Sequence, residues 1–197
     1  MIRPPTILSL ALIGVLMLTG RSVQAQPTAE PFSTIDVRLS GAAEMSSSSQ
    51  LEQWSSDYAG SLLLSTPFYA GNLQTGVRIQ PFESASSKQP SFWSGFLFLG
   101  WVQRWSISDW LHVETGARVG NFFMAFDEDD VGGVRNESEL ATAAVQSIHF
   151  EPFDRIGFFV EGSYTKVFTS VRMKFVHLSA GITYRFHTPE WLKAVVH

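Results

Sequence analysis

From Leu111 the chain alternates. Leu111, Val113, Thr115, Ala117 and Val119 are interleaved with His112, Glu114, Gly116, Arg118 and Gly120. The same period of two returns near the end, where Val176, Leu178, Ala180, Ile182, Tyr184 and Phe186 alternate with His177, Ser179, Gly181, Thr183 and Arg185. Successive side chains of an extended chain point to opposite faces, so each run predicts a strand with one apolar face and one polar or small face. Less regular versions of the pattern predict strands near 33–43, 57–67, 72–82, 92–105, 138–150 and 155–168. Eight strands result, most of about 10 residues or more, the length that crosses a membrane when tilted. Beyond residue 25 no stretch reaches about 18 consecutive apolar residues, so helical spanning is excluded there.

The connections alternate as well. Odd ones are long and polar: the Ser-rich 44–56 segment, Glu83 to Ser91, and the acidic Asp127 to Glu137. Even ones are tight: Tyr69-Ala70-Gly71, Ser106 to Asp109, and Glu151 to Asp154. Only the fourth long-side connection, Thr169 to Arg172, is short. Tight turns at one end and long loops at the other are the signature of an up-and-down membrane barrel, with its turns periplasmic and its loops outside. The expected fold is all-β: an eight-stranded antiparallel up-and-down transmembrane β-barrel with a short C-terminal tail.

The segment before the strands reads as an export signal. Arg3 supplies a positive start, Ile7 to Leu18 an apolar run, and Val23-Gln24-Ala25 a small-residue cleavage site. The expected organisation is 1–25 signal peptide, 26–31 lead, 32–186 barrel and 187–197 periplasmic tail. The whole chain has 197 residues and net charge −4. Removing Arg3 and Arg21 with the signal leaves 12 basic against 18 acidic residues, net −6, which argues against nucleic acid as a partner. A charged content of only 16% with 13% aromatics excludes a disordered chain. The absence of cysteine excludes disulfide scaffolds, thiolate metal sites, thiol nucleophiles and anchoring through an N-terminal lipidated Cys.

Aromatic residues cluster at the ends of the strands. Phe68, Tyr69, Trp105, Trp110, Tyr184 and Phe186 fall at the expected periplasmic end, and Tyr58, Phe122, Tyr164 and Phe168 are expected to form an outer girdle, since amphipathic rings collect where membrane meets water. The last strand, Leu178 to Phe186, resembles the closing strand of small bacterial outer-membrane β-barrels of the OmpA/OmpX-like type. In those proteins a glycine precedes alternating apolar and aromatic positions that end in an aromatic read by the barrel-assembly machinery. Gly181, Ile182, Tyr184 and Phe186 occupy these positions. The resemblance implies an outer-membrane location in the cell envelope, with outer-membrane lipid, lipopolysaccharide and the assembly machinery as partners. It also implies loops able to meet a surface ligand. Eleven residues follow the aromatic, with Thr188-Pro189-Glu190 a helix-start pattern.

Taking the cleaner apolar face as lipid-facing puts Asp36, Arg38, Arg78, Arg104, Glu114, Arg118, Glu161 and Arg185 inside, with His112 and His177. Eight strands leave room only for side chains. Five arginines and three carboxylates in so narrow a space are expected to pair as a buried network, giving a plugged polar lumen and no pore. Phe96, Phe98 and Gln146 fall on the wrong side of this assignment, and a bulge in either strand would reverse part of it.

Two other function classes fit parts of the chain. Small outer-membrane barrels include lipid A deacylases, whose His and Ser lie two apart on a strand, as His177 and Ser179 do. That motif continues with Asn where this chain has Ala180, and its downstream Glu has only Glu190 as a counterpart. His112 with Glu114 and His149 with Glu151 are also two apart and suited to proton relay. A soluble barrel carrying a small ligand would need an apolar interior, the reverse of the polarity assigned here. The Asp127 to Asp130 run with Gly132-Gly133 offers oxygen ligands for Ca²⁺, but Val131 breaks the loop pattern, and a solvated acidic loop is the simpler reading. Asn136-Glu137-Ser138 matches a glycosylation sequon. No catalytic residue, metal or cofactor is assigned. The expected role is structural or surface-interacting.

Overall fold

The structure is a computed structural model. It describes residues 24–25, 30–47, 54–56, 58–85, 90–126, 136–169 and 173–189. Eight long strands make the fold: β1 Thr34–Ser47, β2 Ala59–Phe68, β3 Gly71–Ser84, β4 Phe92–Ser106, β5 Leu111–Phe126, β6 Glu137–Phe150, β7 Ile156–Val167 and β8 Met173–His187. Each pairs antiparallel with its two neighbours in sequence, and β8 pairs with β1 from Phe175↔Ser47 to His187↔Thr34, so the sheet closes on itself with no free edge. Closure satisfies every strand's backbone from within the sheet, the condition for strands to cross lipid. Two short pairings add to it, Gln24–Ala25 on Ser106 and Trp105, and Trp54–Ser55 on Ser84 and Glu83.

Tight connections lie at one end. Phe68 pairs with Gly71 across Tyr69-Ala70, and Tyr69 sits in the left-handed region at φ 50°, uncommon for a bulky side chain. Its ring packs edge-on against Phe68 at 4.6 Å. At the same end the Phe32 N–H donates to the Pro67 carbonyl and the Thr188 N–H to that of Ser33, so the residues just before β1 and just after β8 are tied to this rim.

The alternation sorts the two faces. Leu39, Leu62, Leu64, Ile79, Leu97, Leu99, Val119, Phe158, Val160, Leu178 and Ile182 are exposed outward, forming an apolar band around the wall. A charge at mid-membrane on such a face costs about 2–4 kcal/mol and about 0–1 near the interface, which explains why the band carries none at its centre.

One expectation is corrected, and one alternative left open by the sequence is closed. Phe122 belongs to no outer girdle: it is 5% exposed and packs inside the barrel against Phe175, whereas Tyr58, Tyr164 and Phe168 are exposed. The register of β5 puts even positions inward, and at Phe122 the inward position happens to be aromatic. No bulge rescues β4 either. Its register runs unbroken on both sides, so Phe96 and Phe98 point inward, and β6 likewise leaves Gln146 on the outward parity. The register shift lies elsewhere, between Val176 and His177 of β8, where β1 carries Met45 as an extra residue.

Candidate functional site

The lumen is divided lengthwise. In its periplasmic half polar side chains meet from all around the wall. Glu114 on β5 is the hub: Arg38 Nη1 and Nη2 donate to its two oxygens at 2.7 and 2.9 Å, Asn72 and Gln74 add side-chain amide donors at 3.3 and 3.5 Å, and His149 Nε2 lies at 3.3 Å. Arg104 stands 3.6 Å from the same carboxylate and donates to Glu151 at 2.7 Å. Below them Arg185 donates to both oxygens of Asp36, at 2.7 and 2.9 Å, and reaches Glu151 at 3.2 Å. Above them Arg118 forms a two-pronged pair with Glu161, at 2.7 and 2.6 Å, while its other N–H groups donate to Gln74. Arg78 lies 3.7 Å from Glu161 and donates to His177 Nδ1 at 3.2 Å. That leaves the His177 proton on Nε2, which donates to Gln80 Oε1 at 2.9 Å, and Gln80 in turn donates to Glu44 at 2.6 Å.

All eight charged residues assigned inward from the sequence therefore lie in the lumen, each with an oppositely charged partner. What the sequence does not disclose is the pairing. His112 and Glu114 do not pair, nor do His149 and Glu151. Instead His149 turns to Glu114, and His112 bonds Ser106 and faces Glu151 at 3.7 Å. Glu151 is a fourth carboxylate of the periplasmic group, supplied by the β6–β7 turn. Burial alone would raise its pKa, but Arg104 and Arg185 hold it below the ordinary carboxylate value.

The outer half of the lumen is filled by hydrophobic groups instead. Phe82, Phe92, Phe96, Phe98, Phe122 and Phe175 interleave, with Met124, Met173 and Val167 between them. Phe82 stacks on Phe92 at 4.6 Å and meets Phe175 at 5.9 Å. The two zones join at rings that face cations and imidazoles: Arg118 lies 4.8 Å over Phe98, and Phe175 stacks on His177. Gly120 lets β5 lie close against β4 at this level, since a Cβ there would stand 2.0 Å from the Leu97 carbonyl oxygen and 2.6 Å from the Phe98 Cα. Rather than uniformly polar, the lumen is polar below and aromatic above. The alternation could have shown this at Phe82, Phe92, Phe96 and Phe98, which share one parity with Arg78 and Arg104.

Little space remains. Two interior cavities of about 10 Å³ each flank Arg78, room for roughly one water apiece. A larger one, about 220 Å³, opens at the periplasmic mouth between Asp36, Arg104, Arg185 and Tyr69. His177 and Ser179 face inward, away from lipid, and the Ser179 hydroxyl has no hydrogen-bond partner among the described residues. Gly181 also faces the lumen, on Ser40, while Ile182, Tyr184 and Phe186 of the same strand are exposed on the lipid face. The acidic run 127–130 and the tail from Glu190 lie outside the described residues, as does the leading segment except Gln24 and Ala25.

No family model matches the chain, and no curated protein does. Solved structures share its fold. Neisserial surface protein A superposes with a TM-score of 0.67 at 12% identity, covering 80% of this chain and all of that one. The N-terminal barrel domain of OprF from Pseudomonas aeruginosa gives 0.51 at 8% identity over 80% of this chain and all of that one. The outer membrane protein OprG of the same organism gives 0.51 at 11% identity over 81% and 99%. At these identities the likeness is one of fold. The chain has the fold of the small eight-stranded outer-membrane barrels, and its continuous apolar wall is that of a barrel lying in lipid.

Proposed function

We propose that this chain is a non-conducting barrel of the bacterial outer membrane, with a structural or surface-interacting role exercised through its outer loops and lipid-facing wall. The observation that carries this reading is the filled lumen: beyond the cavity at the periplasmic mouth, a paired charge network and an aromatic layer close the column, and the two voids around Arg78 are water-sized. A route for solute would need an open column, and a lipid-modifying site would need its nucleophile on the outer wall. His177 and Ser179 lie instead inside the barrel. Residues 1–25 act as the export signal, and Gly181, Ile182, Tyr184 and Phe186 as the signal read during assembly. The apolar side chains at the last three of those positions lie on the lipid face, where an assembly partner would reach them.

Envelope fractionation with gels run before and after boiling tests the location, because a closed membrane barrel resists SDS until heated. The protein is expected in the outer-membrane fraction with a heat-dependent shift. Purified barrel in planar bilayers tests the lumen: no steady conductance is expected, and a stable porin-sized one would overturn the closed-lumen reading.

A further inference from the structure

The wall's charge is distributed in one particular way. Among the described residues, the outward positions of the eight strands carry three charged side chains: Glu83, Lys166 and Lys174. Glu83 sits on β3, across the barrel. Lys166 and Lys174 are direct cross-strand partners on β7 and β8, close to the outer ends of both strands. Like charges set directly opposite each other repel and destabilise a sheet. Yet no carboxylate pairs with either lysine among the described residues, and Lys166 Nζ rests 5.0 Å over the Phe168 ring.

The surface just below them has a different character. Tyr164 pairs with Val176, and Gly162 with Leu178, and all four are exposed, so a nonpolar strip runs from the lysines toward the middle of the membrane. Two ammonium groups near the outer strand ends, with an apolar strip beneath them, match a molecule with a phosphate above and acyl chains below. We propose that Lys166 and Lys174 together bind the phosphate of a phosphorylated lipid in the outer leaflet, while its acyl chains lie against Tyr164, Val176 and Leu178. Bound phosphate converts the repulsion of the lysine pair into two charge-assisted hydrogen bonds. The proposal rests on the membrane reading above, with β7 and β8 ending outward.

Native mass spectrometry of the folded full-length protein, titrated with bisphosphorylated lipid A and with its dephosphorylated form, provides the test. Wild type is expected to retain the phosphorylated lipid at least about tenfold better, since two charge-assisted contacts of about 1.4 kcal/mol in total suffice for that ratio. The pair K166Q/K174Q is expected to fall to the dephosphorylated level, and K166R/K174R to keep binding. Equal retention by wild type and K166Q/K174Q would overturn the site, as would displacement of the lipid by an equimolar amount of inorganic phosphate, which would make it a site for free anion. Should K166Q/K174Q not fold, K174E alone carries the same expectation and the same reversal. The heat-dependent mobility shift is recorded on each sample. Its absence from wild type overturns the membrane reading and the lipid site with it; its presence with unchanged lipid retention overturns the lipid site alone.

Discussion

The two halves of the lumen fill the same space by opposite means. In the periplasmic half, Glu114, Arg38, Arg104 and His149 exclude water by satisfying one another, and every charge there depends on a partner from another strand. In the outer half, Phe82, Phe92, Phe122 and Phe175 exclude it chiefly by shape, beside the hydrogen-bonded His177 and Gln80. Buried charge is costly unless paired, so the lower half is specific and brittle, whereas packed rings tolerate substitution in proportion to the volume removed. The barrel wall is indifferent to the choice. What differs is how damage is expected to spread.

Removing the hub should be the most damaging single change. Glu114→Ala strips Arg38 of both its short contacts and leaves it 2% exposed with no counter-ion, a loss of about 3–5 kcal/mol. The midpoint of urea unfolding in detergent micelles, followed by tryptophan fluorescence, measures it. The double change Arg38→Met with Glu114→Leu removes both charges, and Arg104 keeps Glu151. It should recover most of the lost stability, because an apolar pair of similar volume replaces a buried ion pair at little cost. A double variant as weak as the single one would show that the hub acts through shape, and the contrast between the halves would disappear.

A smaller and differently graded loss is expected above. Phe175→Ala removes a ring that meets Phe82, Phe122 and His177, for roughly 3 kcal/mol, and Phe175→Leu should cost about half as much, since it leaves a smaller void. The same urea titration reads both. Equal losses for the two substitutions would mean that the aromatic layer, too, depends on specific contacts.

The same contrast explains what was legible in the sequence. Away from the strand ends a charged residue has one acceptable face in a membrane barrel, so parity alone places Asp36, Arg38, Arg118 and Arg185 inward. A phenylalanine has two, because both lipid and a packed lumen accept it. The sequence therefore puts Phe122 in an outer girdle and leaves Phe96 and Phe98 on the polar parity, although all three fill the lumen. Strand pairing was equally readable, from the long and short connections. Side-chain partners were not: His149 meets Glu114 across the β5–β6 pair, a relation set by register between strands, while the eye finds Glu151 two positions along the same chain. Glu151 escaped the inward set for a related reason, since it lies in a turn and strand parity does not apply to it.

The turn position of Glu151 also sets the smallest effect expected. Arg104 and Arg185 outweigh its burial, so its carboxyl ionises below the ordinary value of 4.5 in the folded barrel. A carboxylate depressed by folding stabilises the protein fully above its unfolded pKa, and that contribution is lost as the pH falls through the lowered folded value. Glu151→Gln should therefore be less stable than wild type at neutral pH, and the gap should close as the medium is acidified below about 4.5. Unfolding midpoints measured in parallel from pH 7 downward give the difference directly, with the titration of every other carboxylate common to both proteins. A gap that stays constant with pH would mean that Glu151 holds the mouth by hydrogen bonds that Gln cannot replace, and that its charge contributes nothing to the pairing of Arg104 and Arg185.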